Sequence, residues 1–214
     1  MKNIALKALL VASVLIPVAA LAQGGKAPTT ATFIMKDDID KVSKTEQSQR
    51  TKDENVAVVD IGYENFALGV VHRASTRTPA PAREGGGNAA AERKPCGREM
   101  AALPAGGTPG GITHDSQAEG YYIISGGGTM FTDGYIVNGR HGEQPEPGGP
   151  NGPSCGGMAY GVKKVDVKVG DVVIVPPNVV HGWADIPDHV DYLSFRPSQH
   201  VMQAGWVNPT VAKK

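Results

Sequence analysis

Gly170-Asp171-Val172-Val173-Ile174-Val175-Pro176-Pro177-Asn178-Val179-Val180-His181 is the stretch on which the reading of the fold turns. Val172 to Val175 is a short β-branched run, which predicts a strand buried on both faces rather than a surface helix. Pro176-Pro177 ends that strand, because neither residue can donate to a ladder. Asn178 tolerates a left-handed turn. His181 then follows a rigid corner, a suitable position for a side chain that must not move.

The spacing is Gly-x5-Pro-x-Asn-x2-His, carried by Gly170, Pro176, Asn178 and His181. Upstream, Ile112-Thr113-His114-Asp115-Ser116-Gln117-Ala118-Glu119 is followed by a run ending at Gly126. On one unbroken strand His114 and Glu119, five apart, would face opposite sides. Asp115-Ser116-Gln117 supplies turn chemistry that lets them converge. Together the two stretches resemble the paired motifs of the cupin family. His114, Glu119 and Gly126 match the first motif, and Ile112 stands where the family has its first histidine. In the second motif Asn178 takes the place of the usual glycine.

This resemblance spans roughly residues 112–185 and implies an all-β fold, the cupin-type double-stranded β-helix or jelly-roll barrel. It implies His114, Glu119 and His181 as ligands of a divalent transition metal, with iron, manganese, nickel, copper and zinc all suited to two imidazoles and a carboxylate. Ile112 cannot ligate and makes one wall greasier. By their place on inward faces, Ile112, Tyr121, Trp183, Tyr192 and Arg196 are expected to border the pocket. The implied activity is that of a metal-dependent oxygenase or isomerase on a small molecule. Two alternatives stay open: a non-catalytic module binding a sugar or metabolite, and a structural barrel without ligand. Pairing as a homodimer is common in the family.

The 214 residues suffice for one sizeable domain. The 28 glycines and 16 prolines favour an all-β fold with many turns over a helical bundle. Formal net charge is zero, so no basic surplus exists to hold phosphates, and nucleic acid is excluded as a partner class. Lys2 and Lys7 precede an apolar run from Ala8 to Leu21, and Ala20-Leu21-Ala22 is a small-x-small cleavage signature. Residues 1–22 read as a secretory signal peptide. The run is shorter than the roughly 20 residues of a spanning helix, so no stable membrane insertion is expected after cleavage. The protein is expected to be exported, periplasmic or secreted. Export makes a disulfide the commoner state of Cys96 and Cys155, worth roughly 4 kcal/mol on the chain-entropy model. The alternative is two cysteines too far apart to meet.

The remaining organisation follows from pattern. Residues 23–53 form a linker and a short amphipathic helix near 35–45, from Met35, Ile39 and Val42. Residues 54–200 form the barrel domain, and 201–214 a tail clamped by Trp206. Val56–Ile61 and Phe66–Val71 predict a hairpin, with His72 a surface residue at its end. The Gly/Pro-rich stretch Ala74–Gly111 is either a wall of the pocket or a surface insertion. Tyr121–Ser125 and Thr129–Thr132 predict a second hairpin across Gly126-Gly127-Gly128. Asn138–Gly157 reads as a loop carrying His141, Glu143 and Glu146. Val165, Val167 and Val169 are expected to face the core. Gly152-Pro153-Ser154-Cys155-Gly156 fits G-x-S-x-G but lacks the strand before and helix after that a nucleophile elbow needs.

Overall fold

The computed structural model describes residues 28–45, 51–78, 93–142, 149–199 and 201–212. The expected signal peptide at 1–22, the glycine triplet at 85–87, Glu143 and Glu146 lie outside the described residues. In chain order the elements are α1 (Lys36–Ser43), β1 (Thr51–Asp60), β2 (Asn65–Ala74), β3 (Pro95–Cys96), β4 (Thr108–His114), β5 (Glu119–Thr132) and β6 (Tyr135–Gly142). β7 (Ser154–Tyr160), β8 (Lys163–Lys168), β9 (Val172–Val175), β10 (His181–Asp185), β11 (His189–Ser198) and α2 (Pro209–Ala212) follow. The fold is all-β with a short helix in front, the jelly-roll architecture expected from the two motifs.

β5 joins the two sheets. Its first half pairs antiparallel with β11 and β9, and its second half with β8 and β10. One sheet therefore runs β1-β2-β11-β5-β9, and the other runs from β8 through β5, β10, β4, β7 and β6 to β3. The expected hairpin across Gly126-Gly127-Gly128 is thus corrected to one 14-residue strand. These glycines serve close approach rather than reversal. Gly126 sits at φ 65, and a Cβ there would lie 2.0 Å from the His189 carbonyl oxygen. At Gly128 it would lie 2.4 Å from the Asp185 carbonyl oxygen. Glycine lets the strand bend where its neighbours crowd it.

Tyr121, Ile123, Met130, Val175, Ile186, Val190 and Tyr192 pack together as the buried core. β9 has one buried face, not two: Val175 is inside, while Val172 and Ile174 are exposed. The reason is that the outer face of this sheet is uncovered: Val172 pairs with Tyr122 of β5, which is exposed too, as is Ile124 two positions on. Of the three valines expected to face the core, only Val167 on β8 is buried, packed in the main cluster; Val165 on β8 and Val169 just beyond it are exposed. The expected loop Asn138–Gly157 is shorter than its composition suggests. β6 runs on to Gly142 and β7 starts at Ser154. Cys96 and Cys155 form a disulfide there, with Cα atoms 5.9 Å apart.

α1 packs Val42 and Ile39 against Val56 and Val70 on the outside of the first sheet. Met35, expected in that apolar stripe, is the exposed N-cap residue. Buried Lys52 donates to the carbonyls of Val42 (2.8 Å) and Ser43 (2.9 Å), satisfying groups the helix end leaves free. Trp206 packs on Val58, Ala67 and Met202, which holds the tail to β1 and β2.

Candidate metal centre

Two corners bring the motif residues together. β4 ends at His114, and β5 begins at Glu119 after a turn whose backbone is pinned at both ends. Asp115 N–H donates to Pro153 O (2.9 Å) and Ala118 N–H to Pro197 O (3.1 Å). The second corner carries Asn178 at φ 63, and its N–H donates to His114 O at 2.8 Å. The backbone thus ties one motif to the other. His181 opens β10 between Ile112 of β4 and Thr132 of β5. Glu119 Oε2 lies 3.5 Å from His114 Nε2 and 3.2 Å from His181 Nε2. All three side chains are buried, and one donor atom from each falls within 4.8 Å of the others.

Buried charge needs partners, and Glu119 has them. Its Oε1 accepts from Arg196 Nε at 3.0 Å, and its Oε2 accepts from the Tyr121 hydroxyl. Arg196 goes on to donate to Asn55 Oδ1 (2.9 Å) and Asp53 Oδ1 (2.6 Å). Burial alone would raise the Glu119 pKa, but His114, His181 and Arg196 outweigh it and hold the carboxyl well below its usual 4.5. Burial pushes the Tyr121 hydroxyl well above 10, so it remains a donor.

His181 Nδ1 lies 3.0 Å from Val179 O, a contact in which only a protonated Nδ1 can donate. With that proton in place, Nε2 is the nitrogen directed at the centre and the one that could ligate a metal. His114 Nδ1 is buried without a hydrogen-bond partner, so nothing among the described residues dictates that ring's tautomer. An ionised carboxylate and two imidazoles around one point fit a divalent transition metal.

A cavity of about 250 Å³ opens on this trio. Ile112, Tyr121, Trp183 and Tyr192 line it, together with His114, Glu119 and His181. Arg196, expected in the wall, stands behind it: the side chain is 1% exposed and reaches Glu119 from the far side of the cavity lining. Sequence reasoning missed Asp53, Arg73 and Asn151, which also line the cavity. Arg73 follows buried Val71 by two positions on β2, and that parity alone was the available signal. Arg73 Nε donates to Tyr192 Oη at 3.1 Å.

His72 is more than a bland strand-end residue. It lies 2.5 Å from Asp191 and stacks on His189. Ser125 Oγ is 2.8 Å from His189 Nε2, and Asp188 is 2.6 Å from His189 Nδ1. This serine-histidine-aspartate row lies off the cavity lining, and its Asp188 is 90% exposed, so nothing there shelters a substrate. The G-x-S-x-G stretch begins β7 and leads into strand, not helix.

Neither a protein-family model nor a curated protein matches the chain. Solved structures do. Peruvianin-I, a cysteine peptidase from Thevetia peruviana latex, is 15% identical over 95% of this chain and 98% of its own, with a TM-score of 0.36. A recombinant oxalate oxidase in complex with glycolate is 13% identical over 83% and 71%, with a TM-score of 0.35. Pac13, a nucleoside dehydratase of Streptomyces, is 11% identical over 73% and 82%, with a TM-score of 0.27. These likenesses carry no argument about chemistry, and the fold rests on the strand pairing itself.

Proposed function

We propose that this chain is an exported, cupin-like barrel protein that holds one divalent transition metal through His114, Glu119 and His181 and acts there on a small molecule. The observation that carries this reading is the buried convergence of those three side chains at the wall of a cavity. A bound metal supplies Lewis acidity or a redox centre. The chain's own residues do the rest. Arg196 keeps Glu119 ionised and oriented, and Tyr121 holds a proton at its hydroxyl beside the carboxylate. Ile112 and Trp183 supply apolar wall that displaces water. This is the equipment of a metal-dependent oxygenase or isomerase. The Cys96–Cys155 disulfide supports an oxidising compartment, and among the described residues no helix is long and apolar enough to cross a membrane.

Metal content decides the matter. Wild type, purified without chelator or immobilised nickel, is compared with His181→Ala and Glu119→Ala by elemental analysis. Near-stoichiometric metal in wild type and loss in both variants is the expected result. Wild type that stays empty after reloading with iron, manganese and zinc overturns it. One observation favours a second reading, ligand binding without turnover: both Glu119 oxygens already accept hydrogen bonds within the protein, Oε1 from Arg196 and Oε2 from Tyr121. That reading expects ligand-induced stabilisation to survive chelation.

A further inference from the structure

Among the described residues that line the cavity, Arg73 is the one guanidinium, and most of its hydrogen-bonding capacity is unused. Of its five N–H donors, only Nε–H is hydrogen-bonded among the described residues, to Tyr192 Oη at 3.1 Å. The nearest carboxylate, Asp53, lends Oδ1 to Arg196 at 2.6 Å, and its Oδ2 stands 4.0 Å from Arg73 Nη2, beyond hydrogen-bond reach. The Arg73 side chain is 34% exposed and lines the cavity. Its terminal nitrogens are therefore available to a ligand in that cavity.

Charge points the same way. Arg73 and Arg196 balance Asp53 and Glu119, so the charged groups of the site sum to zero. A divalent metal would leave an enclosed space doubly positive, which an anionic ligand relieves. A guanidinium fork matches the two oxygens of a carboxylate. About 250 Å³ is below the roughly 300 Å³ at which pockets begin to hold drug-sized ligands. Ile112, Trp183 and Tyr192 offer apolar wall for a short carbon chain.

We infer that the cavity takes a small organic acid whose carboxylate is held by the terminal nitrogens of Arg73 while its other end faces His114, Glu119 and His181. This rests on the metal reading for the second end of the ligand and for the net charge of the site, and on the spare donors of Arg73 alone for the carboxylate end.

The test uses the full chain loaded with manganese. Lactate, pyruvate and malonate are titrated calorimetrically beside lactamide, pyruvamide, malonamide and inorganic phosphate. Wild type, Arg73→Gln and Arg73→Lys are compared, and metal content and thermal unfolding are recorded for each. The expected result is that an acid binds more tightly than its amide, and that Arg73→Gln weakens the acid by roughly thirty-fold or more. Amide affinity and metal content should not change, and Arg73→Lys should restore part of the loss. Equal affinity for acid and amide, or an acid bound as well by Arg73→Gln, overturns the inference and leaves the metal site standing. So does preference for phosphate over every acid, or failure of every acid to bind. A wild type without metal overturns the metal reading instead; acid binding that Arg73→Gln then abolishes would still support Arg73 as the anchor.

Discussion

Arg196→Leu is the sharpest probe of how the fold supports the site. Arg196 is 1% exposed and donates to three acceptors: Glu119, Asn55 and Asp53. Leucine restores apolar volume but leaves Glu119 buried with no cation behind it. Removing one partner of a buried ion pair costs about 3–5 kcal/mol. For a chain of this size that is a fall of about 6–20 °C in Tm.

The cost of losing Arg196 depends on pH. The Glu119 pKa is depressed in the folded protein, so its stabilising contribution is complete above the usual 4.5 and is lost as pH falls through the lower folded value. Without Arg196, burial is opposed by the two histidines and the Tyr121 hydroxyl, and the carboxyl takes up its proton at a higher pH. The stability gap between wild type and variant should therefore narrow as the solution is acidified. Urea unfolding of chelator-treated protein between pH 4 and 8 measures it, in Arg196→Leu, Glu119→Gln and the double variant. A cost under about 1 kcal/mol at every pH, or the same cost with Gln at position 119, would refute the ion-pair reasoning.

Two further predictions test the site's wall and the strand that carries it. Ile112 pairs with His181 and lines the cavity, so Ile112→His brings a third imidazole to the centre. Zinc affinity by chelator competition should rise while metal-free stability falls by about 1 kcal/mol; unchanged affinity would mean that position 112 does not reach the metal. Gly126→Ala should cost more than about 1 kcal/mol in urea unfolding, since a Cβ would lie 2.0 Å from the His189 carbonyl oxygen at φ 65. An unchanged midpoint would contradict the continuous bend of β5.

Local chemistry was legible in the chain. β-branched runs, paired prolines and an asparagine suited to positive φ are settled by neighbours within a few residues. Hence the corner before His181, the turn between His114 and Glu119, and the α1 helix stand where the sequence places them. What failed was inference about partners. Gly126-Gly127-Gly128 suits a reversal and a tight crossing equally, and only the approach of His189, Val167 and Asp185 selects the crossing. Val172 and Ile174 look like core residues, yet they lie on the outer face of the sheet, which leaves Tyr122 and Ile124 of β5 exposed as well.

The amino-acid sequence by itself therefore determined which side chains stand at the two motif corners, the all-β class, and the presence of two cysteines in loop-rich surroundings. Tertiary structure alone decided that Arg196 backs Glu119, that Arg73 faces the cavity, and that Cys96 meets Cys155. The physical reason is separation along the chain. Asp53 and Arg196 are bonded across 143 positions, and such a pair exists only once β1, β2 and β11 have closed side by side. No spacing rule within either segment encodes that meeting; sheet register does.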